Sequence, residues 1–132
     1  MRTRDASDRI LLASIEQARE MDRLTIETFG LPGELLMEMA GVGASQIIAA
    51  LYGSGAGRAT ILCGSGNNAG DGYVVARHLL GDGWDVMVLS LSAPEQLEGE
   101  TRLNYQRFIE CGGDIRVQTK KVTGRARNRI KH

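Results

Sequence analysis

Between positions 64 and 72 the chain reads Gly64-Ser65-Gly66-Asn67-Asn68-Ala69-Gly70-Asp71-Gly72. Glycines at 64, 66, 70 and 72, beside two adjacent asparagines and an aspartate, exceed the glycine or two that a plain turn uses. Such a run lets backbone approach a ligand closely and aims amide groups at it. Ala59-Thr60-Ile61-Leu62-Cys63 precedes it and has the character of a buried strand. Tyr73 to Leu80 follows with the apolar spacing of a helix. Strand, glycine-rich turn and helix together make a nucleotide-binding corner.

In an open parallel sheet, ligands bind beyond the carboxyl ends of the strands. The N–H groups of Asn68 to Gly72 are expected to open the next helix without intrahelical acceptors. They could then hold a phosphate or another anion, helped by the helix dipole. Asn67 and Asn68 add hard carbonyl oxygens and amide donors. These suit an alkali or alkaline-earth cation, or the amide and hydroxyls of a nucleotide. The alternative readings are structural: Asp71 as a cap or first-turn acid, and the asparagines as turn residues that tolerate left-handed geometry.

Gly64 to Ala69 also fits the dinucleotide fingerprint G-x-G-x-x-[GA], a weak match by itself. That fingerprint expects an acidic residue at the end of the second strand, and here the strand ends in Leu89-Ser90-Leu91. A standard nicotinamide dehydrogenase is therefore disfavoured. No G-K-[ST] follows the turn, which excludes a P-loop.

The positioning elements read as two helices followed by β-α-β-α-β. The first helix runs from about Ser14 to Thr28, with Ile15, Ala18, Met21 and Thr25 on one face, and Gly30 stops it. The second runs from about Pro32 to Leu51. Gly41 and Gly43 inside it imply close packing or a break. Strands are expected at Arg58–Cys63, Trp84–Leu91 and Asp114–Thr119. The middle strand is apolar enough to be covered on both faces. The third helix follows the turn, and the fourth is expected over Pro94–Cys111. Alternating elements of this length give an α/β fold, a parallel sheet with right-handed crossovers.

The 132 residues suit a single domain, and 42% apolar residues suffice for a core. No apolar run of membrane-spanning length stands out, and the charged N-terminus leads into no signal-peptide core. A soluble, cytoplasmic protein is expected. The two cysteines form no disulfide framework; Cys63 reads as a packing residue. His78, Glu34 and Glu38 read as surface residues, and Tyr73 as packing or lining. All 16 acidic residues lie at or before Asp114, while six of the 16 Lys and Arg lie after Thr119. Without aromatic residues for stacking, that basic end reads as a disordered tail, not a nucleic-acid arm.

The stretch from Gly64 through Tyr73-Val74-Val75-Ala76-Arg77-His78-Leu79 resembles the YjeF N-terminal domain, the NAD(P)H-hydrate epimerase family. Glu16-Gln17-Ala18-Arg19-Glu20-Met21-Asp22 and Leu36-Met37-Glu38-Met39-Ala40-Gly41 support the resemblance, with Met39 where the family often has Asn. The resemblance implies a Rossmann-like α/β fold and interconversion of the R and S forms of hydrated NADH or NADPH. It implies that Asn67, Asn68, Ala69, Gly70 and Asp71 contact the substrate and that Asn68 ligates a potassium ion. It also implies a functional link to an NAD(P)H-hydrate dehydratase that accepts only the S form. Its span divides the chain into a flexible 1–13, a partial domain over 14–119 and a tail over 120–132. The family continues into a D-A-x-x-G-T-G segment that supplies a second phosphate loop, further potassium ligands and the catalytic acid, whereas no carboxylate follows Asp114 here. The expectation is a chain cut short after its third strand, with the full reaction weak or absent. The other expected reading is a non-catalytic dimerisation or binding scaffold of the same fold. A phosphate-binding protein of unrelated chemistry is a third.

Overall fold

The computed structural model of the protein describes residues 12–55 and 57–118. The chain divides after Gly33 into two compact units. In the first, Ser14 opens helix α1 (Ile15–Glu27) with a reciprocal capping box. The Gln17 N–H donates to Ser14 Oγ at 3.1 Å, and the Ser14 N–H donates to Gln17 Oε1 at 2.9 Å. Arg23 reaches both Glu20 and Glu27 along the same helix.

The second unit holds α2 (Gly33–Tyr52), β1 (Arg58–Cys63), α3 (Asn67–Gly81), β2 (Asp85–Ser90), α4 (Gly99–Glu110) and β3 (Asp114–Val117). The strands are parallel in the order β1-β2-β3. Ala59, Ile61 and Cys63 stand opposite Val86, Val88 and Ser90, and Val88 stands opposite Ile115. These side chains meet Ala69, Tyr73, Ala76 and Leu79 of α3 and Phe108 of α4 in one apolar core. Tyr73 lies at its centre, edge-on to Tyr105 with ring centroids 5.6 Å apart. The opposite face is open: Leu62 is 64% exposed. Met87 and Leu89 on that side are half-buried, so β2 is fully covered on one face, not on both as its composition suggests.

Glycines end both crossover helices in the same way. The Trp84 N–H reaches the Leu79 carbonyl and the Gly83 N–H that of Leu80. Gly113 and Gly112 repeat the pattern on Phe108 and Ile109. Both are Schellman caps, with Gly83 at φ 93° and Gly112 at φ 84°. The cap explains why Trp84 belongs to the turn and not to β2.

Other boundaries differ more. The fourth helix does not run unbroken from Pro94. A single 3-10 turn covers Pro94–Gln96, and Leu97 and Glu98 are extended before α4 begins at Gly99. Leu97 is buried in the core, which pulls the chain inward, and Gly99 at φ 54° makes the bend. β3 ends at Val117. Thr119, the expected tail and most of the expected flexible N-terminus lie outside the described residues.

α2 is unbroken, and by length and composition it is apolar enough to cross a membrane, against the sequence expectation. Met37, Gly41 and Ser45 are its buried residues, while Leu35, Met39, Ile47 and Leu51 are exposed. Gly41 lies directly against Val74 of α3, with no room for a Cβ, whereas nothing lies near a Cβ at Gly43. Glu38 is half-buried and paired. It accepts from Arg77 Nη2, and its Oε1 lies 2.8 Å from His78 Nε2. Glu34 likewise pairs with Arg107 of α4 at 2.5 Å. Burial works to raise the Glu38 pKa, but His78 and Arg77 together hold it below the ordinary value.

Two outcomes test this packing. Gly→Ala inside a helix ordinarily stabilises by about 0.5–1 kcal/mol. Gly41→Ala is expected instead to destabilise by about 1–3 kcal/mol, because β-branched Val74 cannot swing away. Gly43→Ala should be neutral or stabilising, and urea titration of the two variants reads the difference. Glu38→Gln should cost about 1–2 kcal/mol at pH 7. Because the folded pKa of Glu38 is depressed, that advantage exists above the unfolded value near 4.5 and is lost as the pH falls through the folded one. The gap between wild type and variant should therefore close below about pH 4.5, as followed by pH-dependent denaturation.

Candidate functional site

The chain leaves β1 at Cys63 beyond the carboxyl end of the sheet and crosses exposed Gly64, Ser65 and Gly66. It then enters α3 with Gly66 as an N-cap that offers no side chain (φ −81°, ψ −173°). α3 starts earlier than the sequence suggests, at Asn67. Its open amides therefore belong to the turn ending at Asn68, and the Ala69 N–H already bonds to the Gly66 carbonyl at 3.0 Å. Gly70, Asp71 and Gly72 lie within the helical ladder and are not its open end, which corrects the expected run from Asn68 to Gly72. Asp71 is half-buried in the second turn, so it is neither the cap nor a first-turn acid.

Asn67 and Asn68 are exposed in the first turn. Neither adopts a left-handed backbone, since among the described residues every one with positive φ is a glycine elsewhere in the chain. The bland reading of the two asparagines as left-handed turn residues therefore fails. Their side chains stand at the positive end of the helix dipole, where an anion is favoured.

Three neighbours fix this end of α3. A Cβ on Gly72 would lie 2.8 Å from Cys63 Sγ of β1. A Cβ on Gly70 would strike the thioether of Met37 from α2 and lie 2.9 Å from Thr101 Oγ1 of α4. The glycines of the motif therefore admit strand and helix neighbours and are not merely turn formers. Thr101 Oγ1 donates to the Gly66 carbonyl at 3.1 Å. Asn104, one turn on, donates from Nδ2 to the Glu100 carbonyl at 3.0 Å and to Met37 Sδ at 3.2 Å, while its buried Oδ1 has no partner. Thr101 and the Glu38–Arg77–His78 cluster escaped sequence reasoning. Thr101 sits far along the chain in a segment without a motif, and the helical spacing of Glu38 gave no sign that its face is closed by α3.

Asn68 carries one amide oxygen, a hard donor. Among the described residues no group of three or more His, Cys, Asp or Glu is gathered that could hold a metal. Any such ion would draw on amide and carbonyl oxygens.

A parallel sheet whose first strand feeds a glycine-rich turn and a helix N-terminus defines an α/β protein with a candidate ligand corner at that turn. The family described as YjeF-related protein N-terminus matches residues 33–128, and the chain belongs to it. It is 42% identical over 103 residues to the NAD(P)H-hydrate epimerase of Rhodopirellula baltica, covering 78% of this chain and 41% of that protein. It is 48% identical over 116 residues to the bifunctional NAD(P)H-hydrate repair enzyme Nnr of Salinibacter ruber, covering 87% of this chain and 21% of that one. The crystal structure of yeast ynu0 superposes with a TM-score of 0.72 at 25% identity, over 83% of this chain and 48% of that one. The chain thus spans less than half the length of these relatives.

Cys63 supports the site from below and is not a nucleophile. Burial pushes its thiol up to about 11, and its Sγ faces the Ala69 carbonyl at 3.7 Å. Cys111, at the end of α4, is exposed. Reaction of the native protein with a thiol reagent at pH 7.5 should therefore label Cys111 alone. Cys63 should react only in denaturant, as intact-mass spectrometry would show.

Proposed function

We propose that this chain supplies the nucleotide-binding half of an NAD(P)H-hydrate epimerase site, serving the interconversion of the R and S forms of hydrated NADH or NADPH. The observation that carries this reading is the exposed Asn67–Asn68 pair at the N-terminus of α3, fixed from three sides beyond the carboxyl end of β1. The names of the relatives supply the substrate class.

In this reading the open amides of the first turn receive the phosphates. The Asn67 side chain, with donor and acceptor on one exposed group, can meet ribose or amide groups. Asn68 would give its Oδ1 to a potassium ion, whose positive charge would offset that of the phosphates. Ala69 and Gly70 are buried and keep the turn against the scaffold, so their contribution is close backbone approach. Asp71 is the motif's acid, placed one turn behind the amides. The bifunctional relatives suggest that the product passes to a dehydratase activity.

A second reading, a binding scaffold, draws on the exposed Leu62 and the half-buried Met87 and Leu89 of the open sheet face. Calorimetric titration with hydrated NADPH, in potassium and then in tetramethylammonium buffer, separates the two. The epimerase reading expects saturable, potassium-dependent binding, weakened about tenfold or more in Asn68→Ala, a loss of roughly 1.4 kcal/mol. Absence of binding by the wild-type chain in either buffer, together with a tight dimer in sedimentation, would favour the scaffold and end the epimerase proposal.

A further inference from the structure

We propose that Thr101 of α4 is a positioning residue for the nucleotide's phosphates, acting through the Gly66–Asn67 peptide. The inference rests on the nucleotide reading above and deepens it.

Thr101 is 2% exposed, and its hydroxyl reaches across to the turn from a residue 35 positions away. It gives its only proton to the Gly66 carbonyl. In a planar trans peptide the C=O of one residue and the N–H of the next point in opposite directions. Anchoring the Gly66 oxygen toward α4 therefore turns the Asn67 N–H away from α4 and toward the exposed side of the turn. The Gly66 carbonyl also accepts from the Ala69 N–H at 3.0 Å, so it carries two donors. Donors on a carbonyl polarise the peptide and strengthen the N–H at its other end. The tie also restrains an exposed stretch with glycines at 64 and 66, whose backbone freedom would otherwise have to be lost when an anion docks.

The surroundings leave this hydroxyl little choice. Thr101 Oγ1 sits against Gly70, where a Cβ would come within 2.9 Å, and the Met37 thioether closes the same space. A hydroxyl in an apolar pocket needs a partner, and the turn supplies it. α4 has no side-chain cap on its own N-terminus. Its first turn instead spends Thr101 on fixing the start of α3. The carboxyl ends of β1 and β2 are adjacent, and the Leu91 N–H extends their ladder by bonding to the Cys63 carbonyl at 2.8 Å. The two helix starts are thereby held as neighbours.

The test uses the full chain labelled with nitrogen-15 and titrated with NADPH, following the Asn67 and Asn68 amide signals. In the wild type these signals should shift saturably. Thr101→Val keeps the shape and removes the hydroxyl. It should weaken NADPH binding about five- to tenfold, in line with one lost hydrogen bond, and should shift the Asn67 amide even without ligand. Thr101→Ser, which keeps the donor, should restore affinity to within about twofold. Thr101→Ala serves in place of the valine variant should that one not fold. The proposal is overturned if the hydroxyl-less variant binds NADPH as tightly as the wild type, or if the serine variant binds as weakly as it. An unresponsive wild type would overturn the nucleotide reading and this inference with it. A responsive wild type matched by Thr101→Val would overturn this inference alone.

Discussion

The start of α3 depends on how closely its neighbours can approach it. Three contacts converge within two turns: Cys63 of β1 beneath Gly72, Met37 of α2 and Thr101 of α4 at Gly70, and Gly41 of α2 against Val74. Each works because one partner has no side chain. Larger residues at these points would push α2 or the sheet outward and release the turn that Thr101 holds. The glycine content of the motif is thus first a packing requirement. Exposure of Asn67 and Asn68 follows from it, since the buried positions of the segment are taken by Ala69 and Gly70.

The polar contacts around this core divide into two kinds. Glu38 and Glu34 join α2 to α3 and α4 through charged, half-buried pairs that add alignment to an apolar interface. The buried hydroxyl of Thr101 and amide of Asn104 are neutral and lie closer to the turn. Neutral donors fix geometry without placing a fixed charge beside the open amides. The anion-favouring potential at the N-terminus of α3 is left to the helix itself. Tyr73 behaves as packing: its phenol is fully buried and is pushed above its ordinary pKa by that burial, with the Ser90 hydroxyl working the other way.

Much of this was legible in the residues. Gly83 and Gly112-Gly113 mark the helix ends, and the apolar runs at 58–63 and 84–91 mark the first two strands to within a residue or so, because caps and strands write themselves in adjacent residues. The turn was legible from nine consecutive positions, and the resemblance from these with Tyr73 to Leu79 and the blocks at 16–22 and 36–41. Distant partnerships were not. The break at Leu97–Glu98 follows from the demand of the core for Leu97, and nothing in the local spacing distinguishes it from a continuing helix. The paired state of Glu38 depends on α3 lying across α2. α3 begins at Asn67 because Gly70 packs on Met37 and Thr101 and holds the head of the motif helical, where glycine and asparagine by themselves favour a turn. Propensity yielded there to tertiary contact.

Each of the two crossovers is a self-contained passage: strand, helix, glycine cap, neighbouring strand. The pairing partners of β2 are the strands immediately before and after it in the chain. Loops closed this way are short, and their entropy cost is modest. Such wiring favours quick assembly of the sheet, with late docking of α2, whose Glu34 pairs with Arg107, 73 residues away, as the step that spans the greatest sequence distance. The ligand corner, clasped between early and late elements, would be completed only when that last helix settles.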